Sequence, residues 1–321
     1  MKRIPLFCLI LFLLFFLLCF PQESLLASRQ GLGLWLNTLL PTLLPFMIVS
    51  NLLIFSGSLD KLIAMLPGLN RASRLSPYGI YAIFLGFLCG YPMGAKLTAD
   101  LYGKQKISKK EAEYLLTFVN NPSPAFLSSY VLLQCLGMEK RILPSFFILY
   151  SADFVCAALF YHTLPVPEAE LSRKKSKKEN RKVPSESEKK ETSSAHPQGA
   201  YIDLSIMNGF ETITRLGGYI LLFSLLAAAL RHFWPANLPG CLFVLSITEI
   251  STGLAALSSS GLPAPLLYAW AMGCTSFGGL CILAQTKGVL GESHLSVRLH
   301  VLSKCLCAGL TFVFALLLSL S

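Results

Sequence analysis

Residues 115–133, LLTFVNNPSPAFLSSYVLL, form an apolar run broken near its middle by Asn120-Asn121-Pro122-Ser123-Pro124. Two prolines remove two backbone donors, and Pro122 crowds the turn before it, so a helix must break here. In a bilayer core a broken helix survives only where its freed polar groups face protein or a water-filled cavity. The paired Asn side chains add further donors and acceptors at that depth. Two readings fit: a midplane binding site of the kind transporters build from discontinuous helices, or a proline kink whose Asn residues tie neighbouring helices together.

The rest of the chain requires the membrane. Of 321 residues, 54% are hydrophobic and 14% charged, with mean hydropathy +0.59. Several runs reach the roughly 20 residues that a crossing needs. The predicted class is an all-α polytopic membrane protein, with the lipid bilayer as its first partner. The net charge of +10 lies in connecting loops, where it sets orientation rather than marking a nucleic-acid binder. Ten scattered cysteines and five histidines make neither a disulfide framework nor a metal motif, and the histidines read as interface or loop residues. No G-x-S-x-G, H-E-x-x-H or P-loop pattern occurs. The reading is of no enzyme, no catalytic residue, no cofactor and no metal.

In chain order, 1–23 is a basic start followed by an apolar run, an uncleaved signal anchor with its N-terminus in the cytoplasm. Residues 24–56 begin as an interfacial helix with Trp35 and become a span kinked at Pro41 and Pro45. The block 78–102 is crowded with Gly86, Gly90, Pro92 and Gly94, and each arm is too short to cross, so it reads as a re-entrant hairpin with its tip near 89–94. That choice keeps Lys104, Lys106, Lys109 and Lys110 inside, as the positive-inside rule prefers. The broken span follows, then a closing span, 142–164, carrying Asp153. Residues 165–200 form a basic, disordered cytoplasmic linker.

Residues 201–321 repeat the order of 24–164: a helix continuing into a span, a short polar-centred block at 242–260, a span interrupted at 273–279, and a closing span. With both short blocks as hairpins, each half crosses three times. An odd count makes the halves inverted repeats with a site between them.

Four stretches carry a resemblance: LLPTLLPFMIVSNLL (39–53), GFLCGYPMGAKLTADLY (86–102), YLLTFVNNPSPAFL (114–127) and MGCTSFGGLCILAQ (272–285). In these, and in their spacing, the chain resembles the YlbJ-type sporulation integral membrane proteins of endospore-forming bacteria, which carry the nucleoside-recognition or Gate domain related to parts of concentrative nucleoside transporters. The resemblance implies interfacial helix, re-entrant hairpin, broken helix and closing helix in inverted repeats. It also implies a role in spore cortex or envelope formation in the mother-cell and forespore membranes. It does not name a solute.

Glu249, at the second hairpin tip between Thr248 and Ser251, is the first candidate, because an acid at membrane depth is costly and reads as functional. It could hold a substrate or coupling cation, or tie the hairpin to Asn120 or Asn121. Gly90 and Tyr91 at the first tip offer freed backbone and a phenol. Lys96 and Asp100, at i,i+4, read as a pair. Asn120, Asn121 and Ser123 are expected to face Thr275, Ser276 and Gln285 across a polar midplane cavity. Asp153 is an ion or proton relay, or a buried partner for Lys304. The function read from these is a transporter or channel for a small polar, nucleoside-like solute or a cation. The alternative is a non-transporting scaffold or regulator that works as a homo-oligomer or with other sporulation membrane proteins.

Overall fold

The computed structural model describes residues 4–56, 58, 61, 75–163, 200–234, 240–291 and 293–320. Every regular element among them is helical. The amphipathic piece expected within 57–77 and the linker 165–200 lie outside the described residues, apart from a few at their edges. Four helical stretches are long and apolar enough to cross a membrane: Glu139–Tyr161, Tyr201–Phe233, Ala264–Leu290 and Val297–Leu320. The bent pair Phe7–Cys19 and Pro21–Asn37 makes a fifth if it counts as one span. With the similarity reported below, this is a multi-pass membrane protein.

Helix α1 (Ile4–Cys19) is separated from α2 (Pro21–Leu34) by a 110° bend at Phe20. Pro21 lacks the N–H that would continue α1 but suits the first turn of a new helix. From Pro21 the chain winds without interruption to Phe55 through a π-wound turn, Trp35–Leu39, and α3 (Leu40–Phe55). The wide turn sits just before Pro41, whose missing donor breaks the regular ladder. Trp35 Nε1 donates to the Ile213 carbonyl at 2.8 Å, and its ring lies on Gly217.

The long helix α8 (Ala200–Phe233) runs antiparallel to Pro21–Phe55. Gly31 meets Ser224, Trp35 meets Gly217, Leu44 and Ile48 meet Gly209, and Asn51 donates to Asn208 and Ser205. The elements that open the two halves are thus partners in opposite directions along one seam.

Between them come two tight hairpins. In the first, α4 (Pro77–Cys89) and α5 (Met93–Gly103) pack so closely that a Cβ on Gly86 would stand 3.2 Å from the Gly94 Cα. At about 1.5 Å per residue the arms reach about 20 and 17 Å, short of a roughly 30 Å hydrocarbon core. In the second, α9 (Cys241–Thr248) and α10 (Ile250–Ser258) close even more tightly, with Gly253 against the Ser246 backbone.

The first broken span is α6 (Lys109–Leu115), an irregular stretch through Ser123, and a π-wound helix, Phe126–Cys135. The second is α11 (Ala264–Phe277) and α12 (Gly279–Leu290), and it breaks only at Gly278–Gly279, both with positive φ. The expected interruption over 273–279 is therefore corrected to a single joint. Thr275 and Ser276 are wound into the last turn of α11, where the Thr275 hydroxyl donates to the Ala271 carbonyl at 2.6 Å. No proline stands here to unwind them. The closing helices are α7 (Ile142–Thr163) and α13 (Val297–Leu320).

Candidate functional site

Each hairpin tip presses on the break that follows it in sequence. Gly90, at φ 86°, lies against the Ser123 backbone, so close that a Cβ would be 2.5 Å from the Ser123 nitrogen. Gly279 lies against the carbonyls of Ile247 and Thr248 at the second tip. The two tip-on-break junctions face one another across a cavity of about 280 Å³, closed on its third side by Leu34 and Leu43 of the long first-half helix and Leu216 and Ile220 of α8.

Glu249 enters this cavity from the second tip and is 3% exposed. Its extended backbone places it as the N-cap of α10. One carboxylate oxygen accepts the Ser251 N–H at 3.0 Å, and the other accepts the Thr252 N–H at 2.7 Å and the Thr252 hydroxyl at 2.8 Å. The helix N-terminus thus offsets the cost of an acid at this depth. The expected tie to Asn120 or Asn121 does not form. Tyr91, Ser123, Ser251 and Gln285 line the same cavity. Among the described residues, the Tyr91 and Ser251 hydroxyls are buried without a hydrogen-bond partner. Gln285 donates to the Cys281 sulfur at 3.2 Å, a weak acceptor. The site therefore offers one held carboxylate, two free hydroxyls and one weakly engaged amide.

Five sequence-predicted residues thus come together, with Gly90 shaping the wall behind them. The others do not line the cavity. Asn120 donates to Thr286 at 2.9 Å. Asn121 donates to the Phe118 carbonyl at 2.7 Å and accepts from Lys304 Nζ at 2.6 Å. The Asn pair therefore serves the break itself and does not face Thr275, Ser276 or Gln285 as the repeat had suggested. Thr248 donates back to the Val244 carbonyl at 2.7 Å. Ser276 is buried with no partner for its hydroxyl among the described residues, on the far side of the Gly278 joint. Asp153 lies outside the cavity on α7. It is fully buried, with neither oxygen hydrogen-bonded, and no ion pair with Lys304 is formed in this structure.

Tyr130, Ser129 and Gln134, on the π-wound helix after the break, complete the cavity wall. The Tyr130 hydroxyl donates to the Ser251 carbonyl at 3.1 Å, which joins the first break to the second hairpin. Phe126 stacks on Tyr130 at 5.2 Å and meets Tyr91 edge-on, giving the cavity an aromatic side. The polar run within an apolar helix was the signal for these residues. His300 is no interface residue either. It is 1% exposed, and its Nδ1 lies 2.8 Å from the Leu116 carbonyl at the end of α6. A carbonyl can only accept, so Nδ1 carries the proton.

Two further cavities adjoin the first. One, of about 800 Å³, shares Leu34, Tyr130, Gln134, Glu249 and Ser251 with it and adds Gln30, Arg231 and Ser260. The other, of about 210 Å³, shares Leu216 and Gln285 and adds the Lys96–Asp100 ion pair, 2.7 Å apart, with Glu211 and Arg215. All three lie along α8: residues 208–219 border the charged cavity, 216 and 220 the central one, and 224 and 231 the largest. Among the described residues no three His, Cys, Asp or Glu side chains gather as metal ligands would.

No protein-family description matches the chain, and no solved structure matches it at a significant level. It is similar to the sporulation integral membrane protein YlbJ of Bacillus subtilis (strain 168), at 27% identity over 96% of this chain and 80% of that protein.

Proposed function

We propose that the chain is a carrier or channel for a small polar, nucleoside-like solute, acting in spore cortex or envelope formation in the mother-cell and forespore membranes. The observation that carries the reading is the central cavity, where the Glu249 carboxylate shares one space with the unpartnered hydroxyls of Tyr91 and Ser251. Buried polar atoms are normally paired, so two free ones in one cavity mark where a ligand's own groups would bond. The aromatic side formed by Tyr91, Phe126 and Tyr130 suits a flat ring. The cavities strung along α8 supply a way in and out. The reading takes the halves as inverted Gate-like repeats, supported by the antiparallel seam and by two hairpins each seated on the next break. The similar protein's name supplies the sporulation context. No chemical reaction is assigned to the site.

A thermal-stabilisation screen of purified protein tests this, with nucleosides, nucleobases, amino acids, sugars and common cations. At about 100-fold excess over Kd a true ligand adds about 2.7 kcal/mol of stability. The expected result is one stabilising class whose effect is lost in Glu249→Gln, which keeps an oxygen for the cap but removes the charge, and weakened in Ser251→Ala, which leaves the cap untouched. No stabilising class with well-folded wild type would overturn the carrier reading.

One observation favours a second reading, a membrane scaffold or regulator in envelope assembly that works through other sporulation membrane proteins or a second copy. Both oxygens of Glu249 are already taken by its own helix. On that reading Glu249→Gln changes stability alone, and cells carrying it sporulate normally.

A further inference from the structure

The second concentration of ionisable groups lies away from the cavities, where α13 crosses α7 and the first break. Lys304 is 2% exposed, and the bond from its Nζ to the Asn121 oxygen spans 2.6 Å. His300, one turn earlier on α13, holds the Leu116 carbonyl. His300 thus serves the carbonyl end of α6, where the break leaves acceptors exposed and the helix dipole is negative, and Lys304 holds the Asn121 side chain within the break. Asp153 faces the same crossing from α7. The charged and titratable groups turned toward it are Lys304 and Cys307 on α13, and Tyr150 and Cys156 on its own helix. The tyrosines of the other helices packed on α7 have partners elsewhere: Tyr114 of α6 donates to the Ala157 carbonyl, Tyr268 of α11 bonds Ser145, and Tyr130 of the π-wound helix donates to the Ser251 carbonyl.

The geometry is unbalanced. An ionised carboxylate buried with only the weak Cys307 thiol beside it costs several kcal/mol, while a buried ammonium stands nearby bonded to a neutral amide. We propose that Asp153 is a proton-binding site and that Lys304 is its two-position partner. With the proton on, Asp153 is a neutral acid and Lys304 stays on Asn121, as seen here. When the proton leaves to water, the ammonium swings to the new carboxylate, keeping its own three protons, and Asn121 is released. The net charge of the pair alternates between +1 and 0. Asn120, next in the chain, holds Thr286, and Thr286 adjoins Gln285 in the wall between the central and charged cavities. Proton binding is thereby linked to the partition of the pathway. Only that last link rests on the carrier reading; the proton site stands or falls without a solute.

Infrared spectroscopy of purified wild type, with no solute added, reads the site directly. The carboxylic-acid C=O band at neutral pH is expected to lose one component in Asp153→Asn. Titrated upward, that component disappears in wild type. Lys304→Met, which removes the cation that would stabilise the carboxylate, moves the midpoint up by at least about one pH unit, a tenfold change in proton affinity. Asn121→Ala, which removes the competing acceptor, moves it down. A purely structural trio would not shift in opposite directions. An unchanged band in Asp153→Asn, or equal shifts in both partner variants, would overturn the proposal. So would an Asp153→Asn protein that unfolds while Lys304→Met folds, because a neutral isostere costs little where the acid is already neutral. If neither folds, wild type against Asn121→Ala decides by the same band.

Discussion

A Cβ on Gly94 would stand 2.3 Å from the Val119 carbonyl oxygen, a backbone atom that cannot turn aside. The first hairpin and the first break pack together with no room for that carbon. Gly94→Ala is therefore expected to lower thermal stability by at least about 1–3 kcal/mol, the usual cost of overfilling a packed site. Gly309, inside α13, has nothing within 4 Å of where its Cβ would be. There the same substitution should be neutral or stabilising by up to about 1 kcal/mol, from helix propensity alone. Melting curves of the two variants check both, and equal losses would mean that the tip-on-break contact is looser than described. The two glycines and the proline of GYPMG were legible as a hairpin tip because their backbone limits are local. The partners of Asn120 and Asn121 were not, because Thr286 and Lys304 lie more than 160 residues away.

At the level of elements, α6 shows how a short helix is fixed at its mouth. Ser108 caps it, accepting the Glu111 N–H at 3.2 Å, and Glu111 accepts the Ser76 N–H at 2.7 Å, binding α6 to the start of α4. The S-x-x-E pattern was present in the sequence just before an apolar run. Its reach to Ser76 was not. Glu111→Gln keeps an acceptor for the Ser76 N–H and should leave thermal stability nearly unchanged, whereas Glu111→Ala leaves that donor unpaired and should lower it by about 1–3 kcal/mol. Equal melting temperatures for the two variants would remove Glu111 from the account. Helix starts, hairpins and breaks were thus readable from short patterns. The single joint at Gly278 was misplaced because hydroxyls bonding back into their own helix look, in sequence, like an interruption.

For the whole molecule, the order of elements was legible because the breaks and short blocks stand out locally in the sequence. What packs on what was not legible: the first break is met by Lys304 and His300 as well as by its own hairpin tip, and those two side chains come from the far end of the chain. Orientation is the remaining test. A reporter inserted in 103–111 should report cytoplasm, and an external location would remove the inverted-repeat reading with its odd number of crossings. The three cavities share one wall, the helix α8, which lies on the first half's long helix through Gly31, Gly209 and Gly217. A rod that borders all three of these chambers couples them: any tilt about the Trp35–Gly217 contact must change the space beside both of its ends at once.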